Sequence, residues 1–577
     1  MNTVDAEFSP TDDDPSYVSL VLAVLQGGDL GGTSLRNALK KDDLTGLGVV
    51  PNSLRGQVWA ACLLTDQPRR RTDTTAEDLQ LRQRAKQLVA ELDEQTRDLL
   101  HVDAKRTRPN LRRFKGAEDS VIELVELLAY FCHTEKLRYV QGLNELMAIF
   151  MLLPAVGTSA TMVCSMLSKF MYKYAPWVVE SIFEEDESTL AFSGLKSCFK
   201  QITTLLLYHD PELYMRLQKF GISPYAFATS WFVTLFARNF SVEATYALWD
   251  AIIISGDRSG FHFFALALLL SRRELLLRCS EANLPIELMR LEAQSRREVL
   301  ALWAWGGKLK KITPKSFVAS MSSPFDKDAY LRTTREPTID IMCIETSDVF
   351  SRAEKLPLLV WDCRTEREHQ AACIARATFL DIDGIRFGSQ GDALANERTL
   401  VKANEPMKHT ATHICLVGSG VDEDDRHDVI PAAMHLTRNG FRYVSWLKGG
   451  FETILRECPD EVVDYDAQQF EAARAMRRRR ELRRGLVTPL GKKVPDNIVS
   501  LMDRTDEELS MLFTRAKGSI GRIGNDIMLA LRPGPFASLS PTAARKEEAS
   551  LETEEQILLG ETAPGEQRVD EENPPDT

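Results

Sequence analysis

The stretch NELMAIFMLLP, residues 144–154, constrains the fold more than any other part of the chain. It is apolar nearly all round and stops at Pro154, so as a helix it offers no polar face to water and must lie inside other helices. Its neighbours supply that cover. VIELVELLAYFC (121–132) carries apolar residues at 121, 124, 125, 128 and 132, a wide helical stripe. SWFVTLFARNF (230–240) and ATYALWDAIIIS (244–255) continue in the same style. LRGQVWAACLLT follows Pro51, Asn52 and Ser53, so Ser53 is expected to cap a helix with Arg55 and Trp59 on one face. No period-2 alternation interrupts residues 18–310, which predicts one all-helical domain there.

After KITPKSF (311–317) the texture changes. Short apolar runs, LPLLVWD (356–362), ATFLDID (377–383), HICLVGSG (413–420) and YVSWLKGG (443–450), alternate with polar helical stretches. That pattern predicts a small α/β domain with a parallel sheet. The expected organisation is a disordered 1–17, a helical domain over 18–310, a linker over 311–338 and the α/β domain over 339–465. A basic helix and partly ordered linker over 466–535 and an acidic, disordered tail over 536–577 complete it. At 577 residues the chain exceeds what one core serves.

Charge and cysteines narrow the function. The formal net charge of -12 disfavours nucleic acid as a partner of the whole protein. The ten cysteines form no CxxC pair and no His stands at zinc-finger spacing, so a reduced, cytosolic setting and no metal site are expected. Apolar runs such as FHFFALALLL (261–270) are too short to span a bilayer. There is no GxxxxGKS/T loop, GxSxG elbow or HExxH, so the chain is not expected to hydrolyse nucleotide alone.

Two stretches carry chemistry. In DAKRTRPNLRRFK (103–115), Pro109 lacks a backbone donor and pushes Arg108 out of helical angles, so the helix should fail near Arg106 to Arg108. Arg106 is then left at a helix edge, able to reach outward. Lys105, Arg108, Arg112, Arg113 and Lys115 are expected as a solvated face or a surface for an acidic partner. In RYVQGLNE (138–145), Gly142 permits close backbone approach, Asn144 is a candidate cap for the buried helix, and Gln141 sits just before it. An exposed Arg and an exposed Gln, each beside a rigid core helix, make a plausible reactive pair.

At these residues the sequence resembles the TBC domain family of Rab GTPase-activating proteins. The RxxxW signature falls on Arg55 and Trp59, IxxDxxRT on Leu100, Asp103, Arg106 and Thr107 with Leu for the usual Ile, and YxQGxN on Tyr139, Gln141, Gly142 and Asn144. The resemblance implies catalysis in trans on Rab-bound GTP and Mg, with no cofactor of the chain's own. Arg106 would neutralise charge developing on the phosphates and Gln141 would orient the attacking water. Asp103 would hold Arg106, Tyr139 and Asn144 would shape the Gln141 turn, and Arg55 and Trp59 would be structural. Thr107 and Gly142 complete the supporting set.

The α/β segment resembles the rhodanese pattern at Asp362, Arg364 and Glu368, but Ala372 and Cys373 stand where Gly-His is expected. The residue at the head of the loop Val417, Gly418, Ser419, Gly420 is a valine, with Cys415 inside the preceding strand and Asp422 to Asp425 following. A rhodanese needs a low-pKa cysteine at that head, so the domain is expected to be inactive. A TBC domain followed by such a domain resembles the member-23 type of the family. That type implies vesicle tethering in endosome-to-Golgi retrograde traffic, peripheral at the trans-Golgi network, with golgin tethers and vesicle adaptor complexes as partners. The arginines of 474–484 add an expected attraction to anionic membrane. An active Rab GAP and a tethering scaffold both remain open readings.

Overall fold

In the computed structural model the described residues are 14–26, 35, 37, 39, 49–64, 74–154, 156–181, 193–321, 340–350, 358–380, 412–420, 426–438 and 440–485. Those up to Arg477 belong to one compact unit, Met1–Arg477; a second, Arg478–Thr577, is described only at the end of the helix Ala467–Gly485. No helix among the described residues is long and apolar enough to cross a membrane.

From Pro15 to Met321 the described elements are helical. The Leu143–Met151 helix is at the centre, with Leu143 to Met151 buried except for Glu145, as its all-round apolar sequence requires. The Glu118–Glu135, Ala160–Tyr174 and Arg55–Leu63 helices surround the same core. Several helices begin with a side-chain cap: Asp93, Ser159, Asp210, Ser223, Ser241 and Ser295 each accept from a first-turn amide. The expected Ser53 cap is absent. Asn52–Leu54 form a 3-10 turn instead, Leu54 is the cap residue, and Asn52 Oδ1 receives the Arg55 guanidinium at 2.7 Å.

Arg55 is wholly buried because its partner is. Its Nε lies 3.2 Å from Asp250, which also accepts from Trp59 Nε1 at 2.7 Å. The guanidinium stacks 4.6 Å over the Tyr246 ring, and Trp59 packs against Phe150 and Tyr246 at 5.7 and 5.6 Å. A lone acid in ATYALWDAIIIS therefore joins two helices 195 residues apart in the chain.

The second layer is a five-stranded sheet of order β1-β6-β5-β2-β4, with β1 Met342–Ile344, β2 Leu358–Asp362, β4 Thr378–Phe379, β5 His413–Val417 and β6 Val444–Leu447. Every pair in it is parallel, and β5, central and covered on both faces, is buried throughout. A short antiparallel ladder joins β3, Cys373–Ile374, to β7, Val462–Val463. Three expectations shift. A helix starts at Pro15, within the stretch expected to be disordered; the expected linker 311–338 holds the helix Lys315–Met321; and β1 was not anticipated. Residues 486–577, which include the expected acidic tail, lie outside the described residues.

Helices and sheet meet at a buried aromatic junction. Tyr208, at the end of the Ser193–His209 helix, bonds through its hydroxyl to His413 Nδ1 on β5, and its carbonyl accepts from Tyr443 N at 2.7 Å. His413 stacks on Tyr443 at 5.5 Å, and His209 Nε2 meets Thr313 Oγ1 at 2.9 Å. Burial, with His413 and Arg442 nearby, lowers His209 to about 3; burial lowers His413 to about 4 against a smaller upward pull from Asp348.

Two predictions follow from this packing. Asp250→Ala strands a buried guanidinium and a buried indole N–H, and should cost about 3–5 kcal/mol in urea denaturation; a loss under about 1 kcal/mol would mean that the pair is not structural. The junction makes the protein acid-sensitive. His209 and His413 stay neutral in the fold while the unfolded chain takes up protons below the ordinary 6.5. Stability should therefore fall as pH drops from 6.5 toward about 4, by roughly 1.4 kcal/mol per pH unit per histidine. Thermal melts of His413→Gln should show a shallower slope over that window; an unchanged slope would exclude His413 as a source.

Candidate functional site

The helix Glu94–Arg106 ends where Pro109 dictates. Thr107 is its extended C-cap and Arg108 adopts a left-handed φ of 45°. Arg106 is thereby left exposed in the last helical position and, among the described residues, has no hydrogen-bond or ion-pair partner. Thr107 turns inward. Its Oγ1 donates to Asp103 O at 2.8 Å and accepts from Asn144 Nδ2 at 2.8 Å.

The second segment enters through Gly142. Its φ is 117°, and a Cβ there would come within 2.7 Å of Val233 Cγ1 and 3.1 Å of Thr234 Cγ2, so only glycine fits both the angle and the space. Asn144 does not cap the helix as expected. It lies inside the first turn, buried, where its Oδ1 accepts from Gly142 N at 2.9 Å and its Nδ2 reaches across to Thr107. The amide thus closes the Gly142 turn and ties it to the end of the arginine-bearing helix.

Asp103 is the hub of the two segments. Its Oδ2 accepts from the Tyr139 hydroxyl at 2.9 Å, its Oδ1 receives Gln141 Nε2 at a long 3.4 Å, and its carbonyl accepts from Thr107. Burial first, then the Asp103 carboxylate, pushes the Tyr139 phenol far above its ordinary value, so it remains a donor. The expectation that Asp103 holds Arg106 is corrected. Its side chain points into the buried face between the helices, whereas Arg106 points to solvent. What Asp103 restrains is Gln141, which is exposed apart from that one weak tether. Chemically, the arrangement presents an exposed guanidinium at the end of one segment and an exposed amide at the start of the other, the two segments being joined through Asp103 and Asn144.

The surrounding basic residues do not form one solvated face. Lys105, Arg112 and Lys115 are exposed, but Arg113 bonds to Gly157 O at 3.1 Å, to Met151 O and to Glu123 at 3.0 Å. Arg108 is drawn in against Glu145 and Ala237 O. Sequence reasoning missed Asp250 and Glu145. Their signals were a single acid within an apolar helix and an acid directly after Asn144.

In the sheet domain the rhodanese-like residues are consumed by structure. Asp362 bonds to Arg364 at 2.9 and 2.6 Å and to His369 Nδ1 at 2.8 Å. Burial pushes its carboxyl upward, but His369 and the Arg364 guanidinium together hold it below its ordinary value. Arg364 lies 3.7 Å over the Phe451 ring, and Glu368 closes a capping box with Thr365 and pairs with Arg477 at 3.2 Å. The loop is packed shut. Val417 is buried at the end of β5, Gly418 O accepts from Phe451 N at 2.9 Å, Ser419 is buried, and a Cβ on Gly420 would strike Gly449 O. Burial pushes the Cys415 thiol far up within β5. Residues 421–425, with the acidic run, lie outside the described residues.

Residues 52–277 match the family model described as the Rab-GTPase-TBC domain. The Rab GTPase-activating protein tbc-11 of Caenorhabditis elegans is 29% identical over 170 residues, which cover 29% of this chain and 17% of that protein. TBC1 domain family member 4 of Mus musculus is 28% identical over 247 residues, 42% of this chain and 17% of that protein. The chain thus covers only a small part of the length of either relative. Among solved structures, the Ypt/Rab-GAP domain of Gyp1p overlaps with a TM-score of 0.41 at 14% identity, covering 51% of this chain and 99% of that one. Arg55, Asp103, Arg106, Gln141, Asn144 and Asp250 all fall within the matched stretch. Residues 52–277, helical throughout their described elements, are thus similar to the TBC domain of Rab GTPase-activating proteins.

Proposed function

We propose that the protein accelerates GTP hydrolysis by a Rab GTPase, lending Arg106 and Gln141 to the partner's nucleotide site. The observation that carries this reading is the contrast between Arg106 and two neighbouring arginines, Arg108 and Arg113. Arg108 and Arg113 are paired with carboxylates, while Arg106 is exposed and without a partner among the described residues. A guanidinium held at a rigid helix end without a counter-ion is available to neutralise charge on transferring phosphate. Gln141, exposed and held by one 3.4 Å bond, can exchange that bond for a water. GTP and Mg belong to the partner as substrate, and the chain supplies no cofactor.

A tethering role at the trans-Golgi network, with golgins and vesicle adaptors as partners, is the second part of this reading. It is supported by the likeness to the member-23 type, and by a sheet domain whose loop Val417 to Gly420 is closed and presents no thiol at its head. Attraction of residues 474–484 to anionic membrane rests on the side chains beyond Arg477, which lie outside the described residues. Arg474 is paired with Glu452 and Glu471, and Arg477 with Glu368.

The deciding measurement is GTP hydrolysis across a Rab panel. The wild type should accelerate at least one Rab, Arg106→Ala should lose roughly a thousandfold, and Gln141→Ala about a hundredfold. No acceleration on any Rab by the wild type leaves the scaffold reading alone, and co-precipitation with golgin N-termini tests that reading separately.

A further inference from the structure

We propose that Arg108 is a positioning residue, a strut that locks the end of the arginine-bearing helix to the Gln141 turn and so fixes the spacing of the two donors. The inference rests on the functional reading above. Its evidence is independent of that reading.

Arg108 sits two residues past Arg106 in a left-handed conformation, φ 45°. The side chain is only 10% exposed. Its Nε lies 3.2 Å from Glu145 Oε2, an ion pair, and its Nη2 donates to the carbonyl of Ala237. Glu145 stands in the first turn of Leu143–Met151, where a carboxylate is favoured by the helix dipole, and only four residues after Gln141. One guanidinium therefore bridges the segment that carries Arg106 and the helix that carries Gln141 at its entrance.

The third support is a strained turn. Leu235 and Phe236 both have left-handed φ, 49° and 67°, a conformation that costs a non-glycine residue about 1–2 kcal/mol. The turn persists because it is over-determined. Trp249 Nε1 donates to Leu235 O at 3.0 Å, Phe236 N donates to Trp231 O at 2.8 Å, and the Phe236 ring packs at 5.1 Å on Phe264. The same stretch borders both donor segments: Val233 and Thr234 leave no room for a Cβ on Gly142, and Ala237 O receives Arg108. Burying a guanidinium against a pair of this kind yields little net stability, so its yield is geometry. Arg108 does not reach solvent in the manner of Arg106, which makes it a holder of the site and not a contact with the partner.

Two readouts on the full chain test the strut. In Arg108→Ala, and in Glu145→Gln, which preserves side-chain size, hydrogen–deuterium exchange over residues 104–110 and 139–145 should quicken about tenfold while the Ser193–His209 helix keeps wild-type rates. On any Rab that the wild type accelerates, both variants should lower kcat roughly tenfold at unchanged KM, and the double variant should be no worse than either single one. Wild-type exchange at 139–145 in both variants overturns the proposal, and so does a rise in KM at constant kcat. If the wild type accelerates no Rab, the functional reading falls and the exchange result alone decides for or against the strut.

Discussion

The buried pair between Arg55 and Asp250 organises the helical domain. It joins the Arg55–Leu63 helix to one nearly two hundred residues later, and Trp59 completes the acceptor's coordination. Neither charge could remain in that core alone, because the cost of desolvating one ion is several kcal/mol unless the other is present. The pair also fixes the Val242–Ser255 helix. The next side chain along, Trp249, holds the carbonyl of Leu235, and the turn at 234–237 is where Gly142 and Arg108 find their support. The buried pair thus bears, through Trp249 and the 234–237 turn, on the segments that carry Arg106 and Gln141.

At the site, polar atoms are shared economically. Asp103 serves Tyr139, Gln141 and Thr107 with three acceptor atoms, and Asn144 serves Thr107 and Gly142 with its two ends. A buried network of this kind is stable only when each member is satisfied, and it then fixes one geometry. Arg106 stands outside it and Gln141 is held to it only by the long bond to Asp103, and these are the two side chains proposed to act on the partner. Rigidity beneath and freedom at the tip is what catalysis by positioned charge requires.

The sheet domain illustrates the opposite use of similar residues. Asp362 is bonded by Arg364 and His369, and Glu368 by Thr365 and by Arg477 from the Ala467–Gly485 helix. After β5, Gly420 passes so close to Gly449 that a Cβ on it would strike the Gly449 carbonyl. The aromatic junction at Tyr208, His413 and Tyr443 ties the sheet domain to the helices within one unit.

Much of this was legible in the sequence, because local rules act over a few residues. Pro109 ended a helix, Gly142 marked a backbone that no side chain fits, an all-round apolar run marked the centre of the core, and short apolar runs marked parallel strands. What the sequence left undecided was direction and partnership. Asp103 faces Gln141 and not Arg106, Asn144 ties two segments instead of capping one, Arg108 goes inward, and Asp250 finds Arg55 across the chain. Periodicity determines which residues share a face, but which charge meets which depends on how helices distant in sequence come to pack. Only the tertiary structure sets that.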